Sequence, residues 1–172
     1  MHLLSLPPDK GQEPPILLRK VGNLAKISLT WKIKAWRGQM KKERLLDLIK
    51  EILSADDKVV FAYAYGSFVS EDVFRDIDIG IYVKNPEENP FVVTADKKTE
   101  LSFRAKEAGF DLAPDHFDVR ILNHAPFTFL KRVFREGALL VDRDEDLRTD
   151  LIEFVALKYR ECEGILAEAS LL

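Results

Sequence analysis

Val59-Val60-Phe61-Ala62-Tyr63-Ala64-Tyr65-Gly66-Ser67 is followed, after a gap of eight residues, by Asp76-Ile77-Asp78-Ile79-Gly80-Ile81-Tyr82-Val83. The first run is apolar and β-prone, with Asp56-Asp57 before it and Gly66 after it, the pattern of a buried strand. The second alternates. Asp76 and Asp78 stand two apart and leave one face of a strand, while Ile77, Ile79 and Ile81 point into the core. Carboxylates about 6–7 Å apart at the backbone suit a cation, because their repulsion falls when a metal sits between them. A hard divalent ion prefers such oxygens, and Mg²⁺ typically adds substrate phosphates to one or two carboxylates. Alone, Asp-x-Asp on an exposed strand is more often a solvated face. Gly66-Ser67 shifts the balance. It ends a strand and opens a short helical or turn segment, Phe68 to Phe74, where backbone N–H groups face a phosphate and the Ser67 hydroxyl adds a donor. A glycine turn with a serine cap is the plainer reading of the dipeptide by itself. The order strand, Gly-Ser, Asp-x-Asp places a phosphate cradle and a metal site at one sheet edge.

A third acid fits the same edge. Asp118 lies in Phe117-Asp118-Val119-Arg120-Ile121-Leu122, and on an adjacent strand it completes the cluster and accepts a proton from an attacking hydroxyl. Without the first two elements, Asp115 and Asp118 are merely acids near a strand start. Around these strands, Leu45, Leu46, Leu48, Ile49, Ile52 and Leu53 recur at helical spacing and predict a helix over 41–54. Asn85 to Pro90 reads as a turn or loop. Helices are expected over about Thr94 to Ala108, ended by Gly109, and over Pro126 to Glu136. A short strand comes next, at Ala138 to Val141. A helix from Glu145 to about Ala169 has Leu147, Leu151, Phe154, Val155 and Leu157 on its apolar side.

The bulk properties exclude several classes. With 47% hydrophobic and 32% charged residues over 172 positions, the chain reads as one globular domain with an appendage. A net charge of −3 gives no basic footprint of a dedicated nucleic-acid binder, and no apolar run approaches the roughly 18 residues of a spanning helix. The N-terminus lacks the regions of a secretory signal, and Cys162 is the only cysteine; both suit a cytoplasmic location. Residues 1–39 differ from the rest, with seven basic residues against Asp9 and Glu13, a net of +5 that leaves −8 for the remainder. They hold an alternating stretch, Lys26 to Ala35, which reads as a one-faced strand, as a basic arm for RNA or a partner, or as a leader before a true start at Met40. The last is the favoured reading. The expected organisation is a basic N-terminal extension over 1–39 and the catalytic domain over 40–172.

Ala64-Tyr65-Gly66-Ser67, Arg75-Asp76-Ile77-Asp78-Ile79-Gly80-Ile81 and Phe117-Asp118-Val119-Arg120-Ile121-Leu122-Asn123 resemble the DNA polymerase β-type nucleotidyltransferase superfamily, and specifically its minimal nucleotidyltransferase (MNT) group. The segment from Asn123 through Gly137 resembles the stretch after the third acid in MNT proteins, so the likeness spans about Met40 to Tyr159. It implies an α/β (α+β) fold, a small mixed sheet flanked by helices. It also implies that Asp76, Asp78 and Asp118 bind two Mg²⁺ ions, that Gly66 and Ser67 contact the phosphates of ATP, and that Asp118 activates the acceptor hydroxyl. MNT proteins of this size are similar to the antitoxin half of HEPN–MNT toxin–antitoxin pairs. The resemblance therefore implies transfer of AMP from ATP to a tyrosine of a HEPN ribonuclease partner encoded nearby, with no membrane or direct nucleic-acid partner. The chain departs from the group twice. Its gap of eight residues is shorter than the usual ten, and Phe68 stands where a small or basic residue is more usual. A binding-only antitoxin and a small-molecule, aminoglycoside-type nucleotidyltransferase are the competing readings.

The remaining chemistry-bearing residues have plainer readings. Arg75 pairs with Glu71 or Asp72, or touches a phosphate. His116 is structural or at the surface, and His124 belongs to a loop. Tyr63 and Tyr65 pack as core aromatics, with stacking on adenine as an alternative. Asp142 to Asp146 form a solvated turn and helix start, where acids suit the helix dipole.

Overall fold

The computed structural model describes residues 41–87 and 89–169. The strand and the basic arm expected within 1–39 lie outside them. Residues 41–55 form helix α1. Then come β1 (Val59–Tyr65), α2 (Ser67–Ser70), β2 (Ile77–Val83), α3 (Pro90–Glu107), a 3₁₀ turn (Pro114–His116), β3 (Phe117–Ile121), α4 (Phe127–Glu136), β4 (Ala138–Asp142) and α5 (Glu145–Ala169). The sheet order is β3-β2-β1-β4. Strand β1 runs antiparallel to both neighbours, and β2 and β3 are parallel. The expected mixed sheet flanked by helices is the fold observed.

Central β1 has neighbours on both sides, and all seven of its residues are buried. That explains its continuous apolar run. Two cores result. On one face Ile77, Ile79 and Ile81 of β2 and Phe117 and Val119 of β3 pack with Leu45 and Ile49 of α1, Phe68 of α2 and Leu101 of α3. On the other, Phe61, Tyr63 and Tyr65 of β1 pack with Leu130 and Val133 of α4 and Val155 of α5. The β1–β2 register slips between Val59 and Phe61, which puts Val60 and Phe61 on the same core face. Such a one-residue bulge is invisible to a strict alternation argument. After β3 the Asn123 amide continues the pairing, donating to the Val83 carbonyl at 2.8 Å and accepting from its N–H at 3.0 Å.

Two helices differ from expectation. Helix α3 begins at Pro90 rather than near Thr94, because Asn89 caps it by accepting the Phe91 N–H at 3.0 Å and Pro90 occupies the first turn. In α5 only Val155 of the expected apolar side is buried, while Leu147, Phe154 and Leu157 are 37%, 53% and 47% exposed. A long helix laid against one neighbour buries a narrow stripe. Its start matches expectation in part, since Asp144 accepts the Leu147 N–H at 2.9 Å, but Asp142 closes β4 and is held by Arg148 at 2.8 Å.

Lys97 of α3 is a buried charge, 7% exposed, that donates to Asp56 and Glu100 at 2.7 Å each. Burial works against both charges of the Lys97–Asp56 pair. The hydrogen bonds nevertheless hold Lys97 above its ordinary value, and those from Lys97 and the Lys58 amide hold Asp56 below its own. Asp56 therefore adds stability above the carboxylate range that is lost as pH falls through it. Asp56→Ala is expected to lower unfolding stability by about 1–3 kcal/mol at pH 7, since Glu100 remains to share Lys97. Urea titrations should show that difference closing as the pH drops below the carboxylate range.

Candidate functional site

The alternation that buries Ile77, Ile79 and Ile81 sends Asp78 to the opposite face of β2, the face covered by α4. The ladders give Asp78 two neighbours, Tyr65 across the antiparallel β1 pairing and Asp118 across the parallel β3 pairing. Strands pair about 4.8 Å apart, so the two carboxylates leave one face side by side. Burial, then the charge of Asp118 with a smaller part from Asp76, pushes the Asp78 carboxyl above the usual carboxylate range, against the opposing charges of Arg120 and Arg132. Repulsion of this kind is what a cation or a positively charged ligand relieves.

Asp76 lies in the bend before β2 rather than on the strand. Its carboxylate accepts from Arg75 at 2.8 Å, so Arg75 pairs with Asp76 and not with Glu71 or Asp72. Arg75 is 91% exposed, and a contact of that kind contributes little. Asp118 is held similarly, with Arg120 Nε and Nη2 both donating to its Oδ2 at 3.0 and 2.9 Å. Among the described residues no three His, Cys, Asp or Glu side chains stand close enough to hold a metal ion in this conformation. The donor chemistry at the sheet edge is nonetheless all carboxylate oxygen, the set a hard divalent cation takes. It therefore fits such an ion in kind.

Gly66 caps α2, and no side chain bonds into that cap; Ser67 is the first helical residue rather than the cap. The backbone at Gly66 has φ 70° and ψ −157°, a region essentially restricted to glycine. A β-carbon there would lie 2.5 Å from Asp78 Oδ2, so the main chain between the two motifs abuts the acid directly. Phe68 is fully buried and meets Phe74 edge-on at 4.8 Å, which folds the short gap back on itself. Lys42 of α1 donates to the carbonyls of Val69 and Glu71 at 3.1 and 2.8 Å, meeting the negative end of α2.

The structure thus gathers Gly66, Ser67, Asp76, Asp78 and Asp118 at one edge. His116 lies outside it, in the 3₁₀ turn, with its ring nitrogen 3.1 Å from the Ala113 amide, and His124 is exposed. Tyr63 and Tyr65 are core aromatics as expected, 4% exposed each. Three residues not among the expected site residues join the site: Arg120, Phe129 and Arg132. Arg120 is legible in residue order, because two residues after Asp118 on a strand means the same face. Phe129 and Arg132 depend on how α4 crosses the sheet, which spacing alone does not give.

A family model described as polymerase beta, nucleotidyltransferase matches residues 47–146, which include both motifs and the third acid. No curated protein sequence matches the chain. Among solved structures, a variant of the MntA–HpeT toxin–antitoxin is similar at 16% identity and a TM-score of 0.51, over 74% of this chain and 96% of that one. The MNT antitoxin solved with the tri-AMPylated Shewanella oneidensis HEPN toxin is similar at 17% identity and a TM-score of 0.45, over 77% and 98%. A putative nucleotidyltransferase from Sulfolobus solfataricus gives 21% and 0.40, over 64% and 89%. With the match spanning more than half of the chain and the Gly-Ser, Asp-x-Asp and third Asp meeting at one sheet edge, this protein belongs to the polymerase beta nucleotidyltransferase family.

Proposed function

We propose that the chain is a Mg²⁺-dependent protein adenylyltransferase, an antitoxin that moves AMP from ATP to a tyrosine of a HEPN-type ribonuclease partner. The observation that carries this reading is the placement of Asp78 directly opposite Asp118, with Gly66 abutting Asp78. Asp78 and Asp118 would hold the divalent cation, joined by Asp76 once exposed Arg75 turns away, and Gly66 and Ser67 would contact the phosphates. Bound there, the ion supplies Lewis-acid stabilisation of phosphate oxygens. The chain's own part is to orient the nucleotide against the acceptor and, at Asp118, to take the proton of the attacking hydroxyl as it bonds to the α-phosphorus and pyrophosphate departs. The HEPN partner is suggested by the sequence motifs together with the MNT antitoxin names among proteins of similar fold.

One observation favours a second reading. Asp76 and Asp118 are each held by an arginine, as suits an antitoxin that neutralises by covering its partner. Purified chain incubated with Mg²⁺, α-labelled ATP and the protein encoded beside it separates the two. Label on the partner is expected, and label lost on chelation places the reaction on the metal. An unlabelled but tight complex would move the assignment to neutralisation by binding.

A further inference from the structure

Helix α2 and the strand before it carry no positive charge. From Val59 to Phe74 the chain has neither lysine nor arginine, and no basic residue lies in the last turn of α2. A polyphosphate brought to Gly66-Ser67 meets backbone amides there, but the cations nearest by are already engaged: Arg75 is paired with Asp76, and Lys42 bonds the carbonyls at the far end of α2. Charge-assisted donors have to come from elsewhere.

They stand on the other side of the acid pair. The guanidinium of Arg120 from β3 and that of Arg132 from α4 each lie 5.7 Å from the centroid of Phe129. Contact with the same ring restrains both guanidiniums. Arg120 reaches Asp118 from there. Arg132 has no carboxylate within ion-pair distance among the described residues, so its charge is available. A third group points the same way independently. Tyr65 is only 4% exposed, packs edge-on to Phe129 at 5.5 Å and pairs with Asp78 in the ladder. Its hydroxyl has no hydrogen-bond partner among the described residues. An isolated buried hydroxyl is costly, and the charges it senses are those of Arg120, Asp78, Asp118 and Arg132.

We propose that Arg132 and Arg120, mounted on Phe129, together with the Tyr65 hydroxyl, form a subsite for the nucleotide's phosphates and replace the basic residue that α2 lacks. This rests on the nucleotidyl-transfer reading and deepens it. Arg120 then has two partners, serving as counter-ion to Asp118 before the ligand arrives and as a phosphate donor afterwards. Arg132 is the cleaner probe, because removing Arg120 also frees Asp118.

The test is the affinity of the full chain for ATP, for inorganic tripolyphosphate and for adenosine, by calorimetry with Mg²⁺ present. Arg132→Gln is expected to weaken ATP and tripolyphosphate by about 10- to 100-fold and to leave adenosine and the melting temperature unchanged. Tyr65→Phe is expected to weaken both phosphate ligands by about 2- to 10-fold with a melting temperature no lower than that of the native chain, an outcome a purely structural tyrosine would not give. If the native chain binds ATP and Arg132→Gln binds it equally, the subsite is wrong and the transfer reading stands, whether or not modification of the acceptor slows. Equal losses for adenosine and ATP also overturn it. If the native chain binds no ATP, both readings fall together.

Discussion

Asp78→Asn is expected to cut nucleotidyl transfer by about 10³-fold, the several kcal/mol that a lost cation ligand represents, while leaving the melting temperature at or above that of the native chain. The two halves have one cause. Burial and the neighbouring charge of Asp118 hold the Asp78 carboxyl above the usual range, so its ionisation is less favourable in the folded chain than in the unfolded one. The folded state then binds more protons just above the unfolded carboxylate value. Stability contributed by this group falls as pH rises from that value through the folded one. At neutral pH the charge is a burden on the fold. Asn keeps the shape, removes the repulsion with Asp118 and loses the carboxylate proposed as cation ligand. Initial rates of label transfer and thermal melts from pH 3 to 8 check both halves. The melting advantage of Asp78→Asn should shrink as the solution is acidified into the carboxylate range. A sharp drop in melting temperature would make Asp78 a structural residue, and an unchanged rate would remove it from the chemistry.

The elements legible in residue order are those that local interactions set. Alternation and apolar runs mark β1, β2 and β3, because burial on one or two faces writes itself directly into the chain. The start of α3 escapes for a local reason. Asn-Pro reads equally as a turn and as a cap with a first-turn proline, and the helix it opens leaves Phe91, Val92 and Phe103 exposed, which blurs its periodicity. The slips at Val59/Phe61 of β1 and opposite Ala62/Tyr63 in β4 depend on strand partners that the residue order does not name. The same division runs through the site. Gly66, Ser67, Asp76, Asp78 and Asp118 carry spacing that a chemist can recognise, although that spacing does not reveal the pairing of Asp76 with Arg75. Phe129 and Arg132 belong to a helix 50 or more residues after β2 begins, and only tertiary packing sets them beside Asp78. Phe68 shows the reverse. It departs from the usual pattern, and its burial against Phe74 makes it the plug that lets an eight-residue gap close over the core.

Gly66→Ala is expected to reduce transfer by about 10²-fold, the scale of an ångström-sized misplacement of a reacting group, and to lower stability by about 1–3 kcal/mol for the strained backbone. Both effects arise from the position between the motifs. At φ 70° and ψ −157° an L side chain clashes with its own backbone, and this accounts for the stability cost. The added methyl would also lie 2.5 Å from Asp78 Oδ2 and 3.3 Å from its Cγ. Of the two, the carboxylate yields more easily, since it is the end of a short side chain while Gly66 is fixed between β1 and α2. Asp78 therefore turns away from Asp118, and the pair separates without unfolding the sheet. A double-mutant cycle distinguishes the two effects. In the Asp78→Asn background Gly66→Ala should add little further loss of rate, because the group it displaces has already lost its charge, yet the strain should still lower the melting temperature. Independent, additive losses of rate would show that Gly66 acts on the nucleotide by itself, through the close approach of its backbone, rather than through Asp78.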